Sequence, residues 1–221
     1  MGTQLSLDEY ITQRHSTRGF LKTPIPRALI EQSLDLAQHA PSNSNIQPWR
    51  LVIVSGPGRD RLSKALLAAA ASEGKPNVPE LPQAFRHYRS DLGGALYGGV
   101  MGIPRDDSAA RLAAELRNYD FFGAPTVAIV TMDNELGAPD SLSVGMYLQL
   151  LLLALEKDGI ESCVQVSVAG YPEVLRKELD IPANQEVICG VSLGYPDPAY
   201  KGNIFRAKKE PFTEVARFVD A

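Results

Sequence analysis

Ten consecutive residues, Pro41-Ser42-Asn43-Ser44-Asn45-Ile46-Gln47-Pro48-Trp49-Arg50, constrain this chain more than any other stretch. They stand between a segment of helical periodicity and a segment of strand character. Each proline fixes its own φ and restricts the residue before it, which predicts an extended, rigid loop. Ser, Asn and Gln side chains both donate and accept hydrogen bonds. A rigid loop carrying such a fan of polar groups suits the polar edge of a flat heteroaromatic ring. The ordinary alternative is a well-capped connection, because Asn, Ser and Pro are common turn residues.

The segments on either side set the fold class. Ser6-Leu7-Asp8-Glu9 is a capping box, so a short helix is expected from Leu7 to about Gln13. Pro26 stands at a helix start, and Leu29, Ile30, Leu34 and Ala37 recur at helical spacing. Arg50 to Ser55 reads as a strand that Gly56-Pro57-Gly58 ends, and Arg61 to Ser72 as an alanine-rich helix. Residues 73–105 carry Pro76, Pro79 and Pro82, then Gly93-Gly94 and Gly98-Gly99, and read as an irregular, lid-like excursion. A further helix is expected over 107–120 and a buried strand from Ala124 to Met132. A long helix follows from Ser141 to Lys157, with Gly159 at its C-terminal end. Cys163 to Val168 and Glu186 to Gly194 read as strands around a short helix over 172–179, and the last 27 residues read as largely extended. Strands and helices alternate without a regular βαβ repeat, which predicts an α+β domain spanning 1–221, a sheet covered by helices. An extended tail needs something to pack on, and a partner subunit is one candidate.

Composition narrows the function. A net charge of −4 argues against nucleic acid or anionic membrane as general partners. Cys163 and Cys189 sit in apolar strands and read as buried free thiols of a reducing compartment. His15, His39 and His87 have no metal-ligand spacing. The apolar run Leu148 to Leu155 is far short of a membrane span of about 20 residues and reads as a buried helix. With no apolar signal core at the N-terminus, a cytoplasmic protein is expected.

Two basic clusters stand out. Arg14-His15-Ser16-Thr17-Arg18 offers guanidiniums, an imidazole and hydroxyls, a local anion site suited to a phosphate. Lys201, Arg206, Lys208 and Lys209 lie near the other end, and the two clusters would form one pocket if the termini meet. On its own the second cluster reads first as a solvated basic tail. The glycines from Gly93 to Gly102 lack the preceding strand of a dinucleotide fingerprint. Ser42 and Ser44 have no identifiable base. No side chain stands out as acid, base or nucleophile, so an enzyme built on this chain would rely on a cofactor.

Taken together, RHSTR at 14–18, PSNSNIQPW at 41–49, Phe122-Gly123-Ala124-Pro125, the segment Gly159 to Gln165, and Leu193-Gly194-Tyr195-Pro196 resemble the FMN-dependent nitroreductase family over almost the whole chain. The resemblance implies a three-layer α/β/α sandwich with a mixed, mainly antiparallel sheet. It implies a homodimer with FMN at the subunit interface and C-terminal arms on the neighbour. Arg14, Ser16 and Arg18 would bind the FMN phosphate and ribityl chain, His15 through its backbone, and Arg206 with Lys208 or Lys209 would complete the phosphate site. Pro41, Ser42, Asn43 and Asn45 would contact the flavin from the opposite subunit. Val166 and Ser167 match the turn whose backbone N–H faces flavin N5, and Arg117 and Gln149 are candidates near the ring edge. The implied reaction is ping-pong: NADPH or NADH passes a hydride to N5, then a flat nitroaromatic or quinone takes the same place and is reduced.

The chain departs from the family pattern at Ser143-Val144-Gly145, where many members have Asp-Val-Gly, and at Ser167, where many have Gly. The 73–119 region is longer than in compact members. Its Phe85, Tyr88, Tyr97, Tyr119, Phe121 and Phe122 could roof the pocket, though packing is the first expectation for each. Arg86, Arg89 and Arg105 are candidate readers of a 2′-phosphate. Alternative readings are a redox sensor or FMN store without turnover, a dehalogenating or flavin-fragmenting relative, and a simple anion-binding module.

Overall fold

The computed structural model describes residues 5–72 and 76–219. Residues 1–4, residues 73–75 at the start of the expected excursion, and residues 220–221 of the tail lie outside the described residues. Four strands, β1 (Arg50–Ser55), β2 (Thr126–Asp133), β3 (Glu161–Gln165) and β4 (Gln185–Gly194), form one sheet in the order β1-β2-β4-β3. Each neighbouring pair is antiparallel. Parallel pairing is confined to one bridge, Ser16 to Ser162, on the outer edge of β3.

Strand side chains alternate between faces, and here both faces are covered. Val127 and Ile129 of β2 pack with Leu62 and Leu66 of α3 (Gly56–Ser72) and Leu175 of α7 (Pro172–Leu179). Ala128, Val130 and Met132 pack with Ile30 and Ala37 of α2 (Arg27–Ala37) and with Tyr147, Leu151 and Leu155 of α6 (Ala138–Glu156). The result is the three-layer α/β/α arrangement. Fully burying a Leu or Ile contributes roughly 1.5–3 kcal/mol, so the two apolar layers hold the helices in place.

Local signals explain most element ends. The helix α1 (Leu7–Gln13) starts at the Ser6 capping box: the Ser6 N–H donates to the Glu9 carboxylate at 2.7 Å, and the Glu9 N–H to Ser6 Oγ at 3.3 Å. α3 begins at Gly56, five residues before the expected Arg61. Gly56 turns sharply with φ +55°, and Pro57 is pre-set for a first helical turn, so Gly-Pro-Gly opens the helix as well as closing the strand. β3 stops at Gln165 and not at Val168, because Val166–Gly170 curl into a 3₁₀ turn.

The excursion is irregular over 76–82, as its three prolines predict, but helical from Gln83 to Val100, where irregular chain was also expected. α4 (Arg86–Gly93) runs on into a π-helical segment, Gly94–Val100, through both glycine pairs. Leu96, 2% exposed, anchors that segment, which offsets the weak helix propensity of its glycines. α5 (Ser108–Leu116) follows, its first turn capped by Asp107, whose Oδ1 accepts the Ala110 N–H at 2.9 Å. The apolar run Leu148–Leu155 is part of a 19-residue helix, long and apolar enough for a membrane span by length and composition, with mean hydropathy 1.4. Its Val144, Tyr147, Leu151 and Leu155 lie in the core instead. In the tail the extended chain is interrupted by a 3₁₀ turn, Lys201–Ile204, and by α8 (Phe212–Val215). Cys163 and Cys189 are buried free thiols, and burial pushes Cys189 up to about 12.

Candidate functional site

Residues 14–18 run along the outer edge of β3. Ser16 bridges Ser162, and the Thr17 N–H donates to the Ser162 carbonyl at 3.0 Å. Thr17 is fully buried and its hydroxyl donates to the Glu161 carboxylate. The His15 ring is engaged on both sides, Nδ1 lying 3.0 Å from the Gln13 carbonyl and Nε2 3.8 Å from Glu161. Burial lowers the His15 pKa; Arg206 adds to the fall, while the Gln13 hydrogen bond and Glu161 oppose it. The ring is therefore occupied by the protein itself, and the His15 backbone is what a ligand would meet.

The tail returns to this segment. The Arg18 N–H donates to Asn203 Oδ1 at 2.8 Å, and Asn203 Nδ2 donates to the Gly19 carbonyl at 2.8 Å and the Asp197 carbonyl at 3.0 Å. Gly19 permits the approach, since a Cβ there would lie 2.3 Å from the Tyr200 ring. Arg117 stacks over Tyr200 at 4.2 Å from its centroid and donates to the Arg18 carbonyl at 2.9 Å. Arg117 thus braces the anion segment, a different duty from the ring-edge contact expected of it.

The Arg206 guanidinium donates to the Asn203 carbonyl at 2.7 Å. Lys208 and Lys209 follow in exposed chain. Beyond them Glu210 accepts the Tyr88 hydroxyl of α4 at 2.6 Å. Arg14 and Arg206 both face Glu156, and Arg14 and Arg18 both bear on Cys163. Arg206 of the second cluster therefore lies close to Arg14 and His15 of the first. Arg14, Arg18 and Arg206 thus bring positive charge to the edge of β3, the kind of charge that suits an anion.

Two carboxylates temper this charge. Burial raises Glu156 to about 7, with Glu161 adding to the rise and Arg14 and Arg206 opposing it. A carboxyl raised on folding binds its proton more tightly in the folded chain, so its contribution is full at acid pH and is lost as pH rises toward 7. The Glu156→Gln variant is expected to lose the part of the decline in thermal midpoint between about pH 5 and pH 8 that wild type owes to this group. Unchanged slopes in the two proteins would remove Glu156 from the account.

The polar loop sits at the opposite edge of the sheet, leading into β1. Trp49, 3% exposed, anchors it by stacking on Tyr147 at 4.6 Å and donating from Nε1 to Gln38 Oε1 at 3.2 Å. The loop is a compact turn and not the extended chain expected from its prolines: Ser44, Asn45 and Gln47 have φ of 49°, 58° and 50°. The Gln47 N–H donates to Ser42 Oγ at 3.0 Å, and the Asn43 N–H to Ser143 Oγ of α6 at 3.3 Å. Ser143 thus holds the loop directly. Pro41, Asn43 and Asn45 are exposed and Ser42 half-buried, so the polar face is presented outward. Gln149 lies on the exposed face of α6 with Leu142 and Gly145.

The third element is the turn after β3. Val166 is 57% exposed and Ser167 half-buried. The turn follows the strand along which residues 16 and 17 are paired, so the anion segment and these backbone N–H groups share one edge. A second strained turn lies nearby: Phe121 and Phe122 have φ of 52° and 54°, and Gly123 of 80°. Such backbone costs of order 1–3 kcal/mol per residue and persists where the surroundings over-determine it. The guanidinium of Arg59, a buried residue of α3, clamps this turn through the Asp120 carbonyl and carboxylate, the latter at 2.9 Å.

The expected roof is only partly available. Tyr119, Phe121 and Phe122 are 2%, 0% and 5% exposed and belong to the core. Phe85 and Tyr88 remain exposed on the excursion, 6.4 Å apart. Of the three candidate cations there, Arg86 is paired with Glu80 at 3.0 Å, Arg105 lies 3.5 Å from the Ser90 hydroxyl, and Arg89 is exposed on α4. Thr17, named in the sequence for its hydroxyl, spends that hydroxyl on Glu161; Glu161, Asn203 and Tyr200 also brace the site but were not visible in the sequence, because their partners are far away along the chain.

The sequence profile of the Nitroreductase family matches residues 11–195. This chain is a member of the nitroreductase family. It is 36% identical to a nitrobenzene nitroreductase of Ectopseudomonas oleovorans over 99% of both chains. It is also 36% identical to a 4-nitrobenzoate reductase of Pseudomonas putida, covering 92% of this chain and 91% of that one. Among solved structures, the FMN-dependent nitroreductase NfnB from Mycobacterium smegmatis in complex with NADPH superposes with a TM-score of 0.90 at 33% identity, covering 96% of this chain and 97% of that one.

Proposed function

We propose that this nitroreductase is an FMN-dependent enzyme that uses NAD(P)H to reduce nitroaromatic compounds. One observation carries the reading furthest. The anion segment and the polar loop are suited to the two ends of one ligand, yet they sit at opposite edges of the sheet, on β3 and β1. Three strand spacings separate those edges, roughly 14 Å. Loop and anion segment would meet on one ligand if the loop came from a second copy of the chain.

Two further surfaces support a homodimer. α6 is apolar all round, and Leu142, 66% exposed, and Leu150, 39% exposed, face away from its own core. No atom lies within 4 Å of a Cβ built on Gly145 between them, so this face is open to close approach. In the tail Phe212, Val215, Phe218 and Val219 are each at least 66% exposed. The outer edge of β1 borders a 480 Å³ groove lined by Leu34, Trp49, Arg50 and Tyr147, among others. The apolar tail of a second copy could lie along this groove and cover the open edge. Residues 1–221 would form one FMN-binding domain, with the segment of about 73–119, of which 73–75 lie outside the described residues, as its lid-like excursion, in a cytoplasmic enzyme.

The flavin, when bound, supplies two-electron transfer between NAD(P)H and the acceptor. Arg14, Ser16, Arg18 and Arg206, with Lys208 or Lys209, would hold its phosphate, and His15 would add a backbone contact. Pro41, Ser42, Asn43 and Asn45 of the second copy would meet the ring. Val166 and Ser167 would direct backbone N–H donors at N5, with Gln149 near the ring edge and Arg117 bracing the phosphate segment. Such donors act without reorganisation because the fold has already placed them. A single open face would be visited in turn by the donor and by a small flat aromatic acceptor, which orientation alone makes efficient.

Steady-state assay tests this directly. Purified protein loaded with FMN is expected to oxidise NADPH or NADH only when nitrobenzene or 4-nitrobenzoate is added, beyond a slow oxygen-dependent background. Flavin bound firmly but no acceptor-dependent oxidation would mark the chain as a flavin store or sensor instead.

A further inference from the structure

The side-chain amide of Gln165 sits at a junction that the functional reading leaves unused. Gln165 ends β3, is 3% exposed, and immediately precedes the Val166–Gly170 turn. Its Nε2 donates to the Asn118 carbonyl at 2.7 Å and lies 3.4 Å from Asn118 Oδ1. Its Oε1 accepts from the hydroxyl of Ser192, fully buried on β4. A buried amide is tolerated only when its polar atoms are paired, and here three partners pair it. They tie the end of β3 to β4 and to residue 118, next to the Arg117 that braces Arg18.

The turn is fixed at two further points. Val168 fills the space above Gly190, where a Cβ would lie 3.0 Å from it. Gly170 lies against Pro76, leaving 2.4 Å for a Cβ, and its carbonyl accepts the Asn77 N–H at 2.9 Å. These two contacts hold the far end of the turn. At its beginning, where the Val166 and Ser167 N–H groups stand, the Gln165 side chain adds its hydrogen bonds to the ladder pairing of Gln165 with Gly190.

We propose that Gln165 is a positioning residue of this enzyme: its amide sets the direction of the Val166 and Ser167 N–H groups and links that turn, through Asn118, to the phosphate-binding segment. The inference rests on the reading that this turn faces flavin N5. A donor displaced by about 1 Å loses on the order of 100-fold in rate, so the anchor of the turn is felt in the chemistry although it touches no ligand.

The test uses Gln165→Met, which keeps the length of the side chain and removes its hydrogen bonds, and Ser192→Ala, which removes only the partner of Oε1. Hydrogen exchange of the peptide covering 166–170, measured in flavin-free protein, is expected to accelerate about tenfold in Gln165→Met and less in Ser192→Ala. Both variants are expected to retain FMN, because the phosphate groups are untouched, and to shift the flavin midpoint potential in the same direction. Lowered thermal stability with wild-type exchange and potential would make Gln165 a packing residue and overturn the proposal. Should Gln165→Met fail to fold, Ser192→Ala decides by the same two readouts. Wild-type protein that takes up no FMN would instead overturn the functional reading, whatever the variants do.

Discussion

Arg14→Ala and Arg18→Ala each weaken FMN binding by about 10- to 100-fold, the loss of one charge-assisted contact worth roughly 1.5–3 kcal/mol. The Arg18 guanidinium makes its in-chain hydrogen bond to the Ser16 carbonyl at 3.0 Å, so its removal leaves the segment's backbone ties to Ser162 and Asn203 in place. The fold is therefore expected to survive while the cofactor is lost on dilution or gel filtration. Fluorescence titration of FMN into flavin-free protein measures the change. Arg206→Ala should act in the same direction, because Arg206 bears on the same Glu156 and His15 from the tail. Wild-type affinity in both Arg14 and Arg18 variants would remove the phosphate assignment.

Leu142→Arg is expected to convert the proposed dimer to monomers and strip it of FMN. In a lone protomer this residue is 66% exposed, so a charge there costs the isolated fold little. In a dimer packed on the α6 face it would be buried without a partner, a penalty of several kcal/mol. Light scattering should give twice the chain mass of 24.0 kDa for wild type and the single chain mass for the variant. Flavin content should fall with it, because loop 41–47 would no longer reach the phosphate segment of its neighbour. Unchanged mass and unchanged flavin would place the interface elsewhere.

The parts of this account legible in the sequence are those governed by local rules. The Ser6 capping box, the alternating strand at Arg50–Ser55 and the Gly159 stop each depend on neighbours within a few residues, and each falls where expected. The glycine part of the excursion was misread for a physical reason: Gly93-Gly94 and Gly98-Gly99 look like breakers, but Leu96 finds a buried place and a helix runs through them, while the chain around Pro76, Pro79 and Pro82 is irregular as expected. The loop at 41–49 was legible as polar and rigid but not in shape. Its left-handed residues are set by Trp49 and Ser143, contacts made with a helix about a hundred residues away. Arg14–Arg18 and Arg206 could be guessed to converge because both are basic in an acidic chain. Asn203 and Glu161 could not, since one amide and one acid among many carry no signal until the tail folds back. The stacking of Arg117 on Tyr200 was not legible either, because it depends on the absence of a side chain at Gly19.

The most direct measurement is the visible absorbance spectrum of the purified protein, recorded before and after anaerobic addition of NADPH. Flavin bands that are present at the start and bleach on addition are the predicted result, and they would identify a bound FMN reduced by a nicotinamide donor. A protein that shows no flavin bands even after FMN is supplied, or whose bands persist with both NADPH and NADH, would contradict the claim that this chain is an NAD(P)H-driven flavoenzyme.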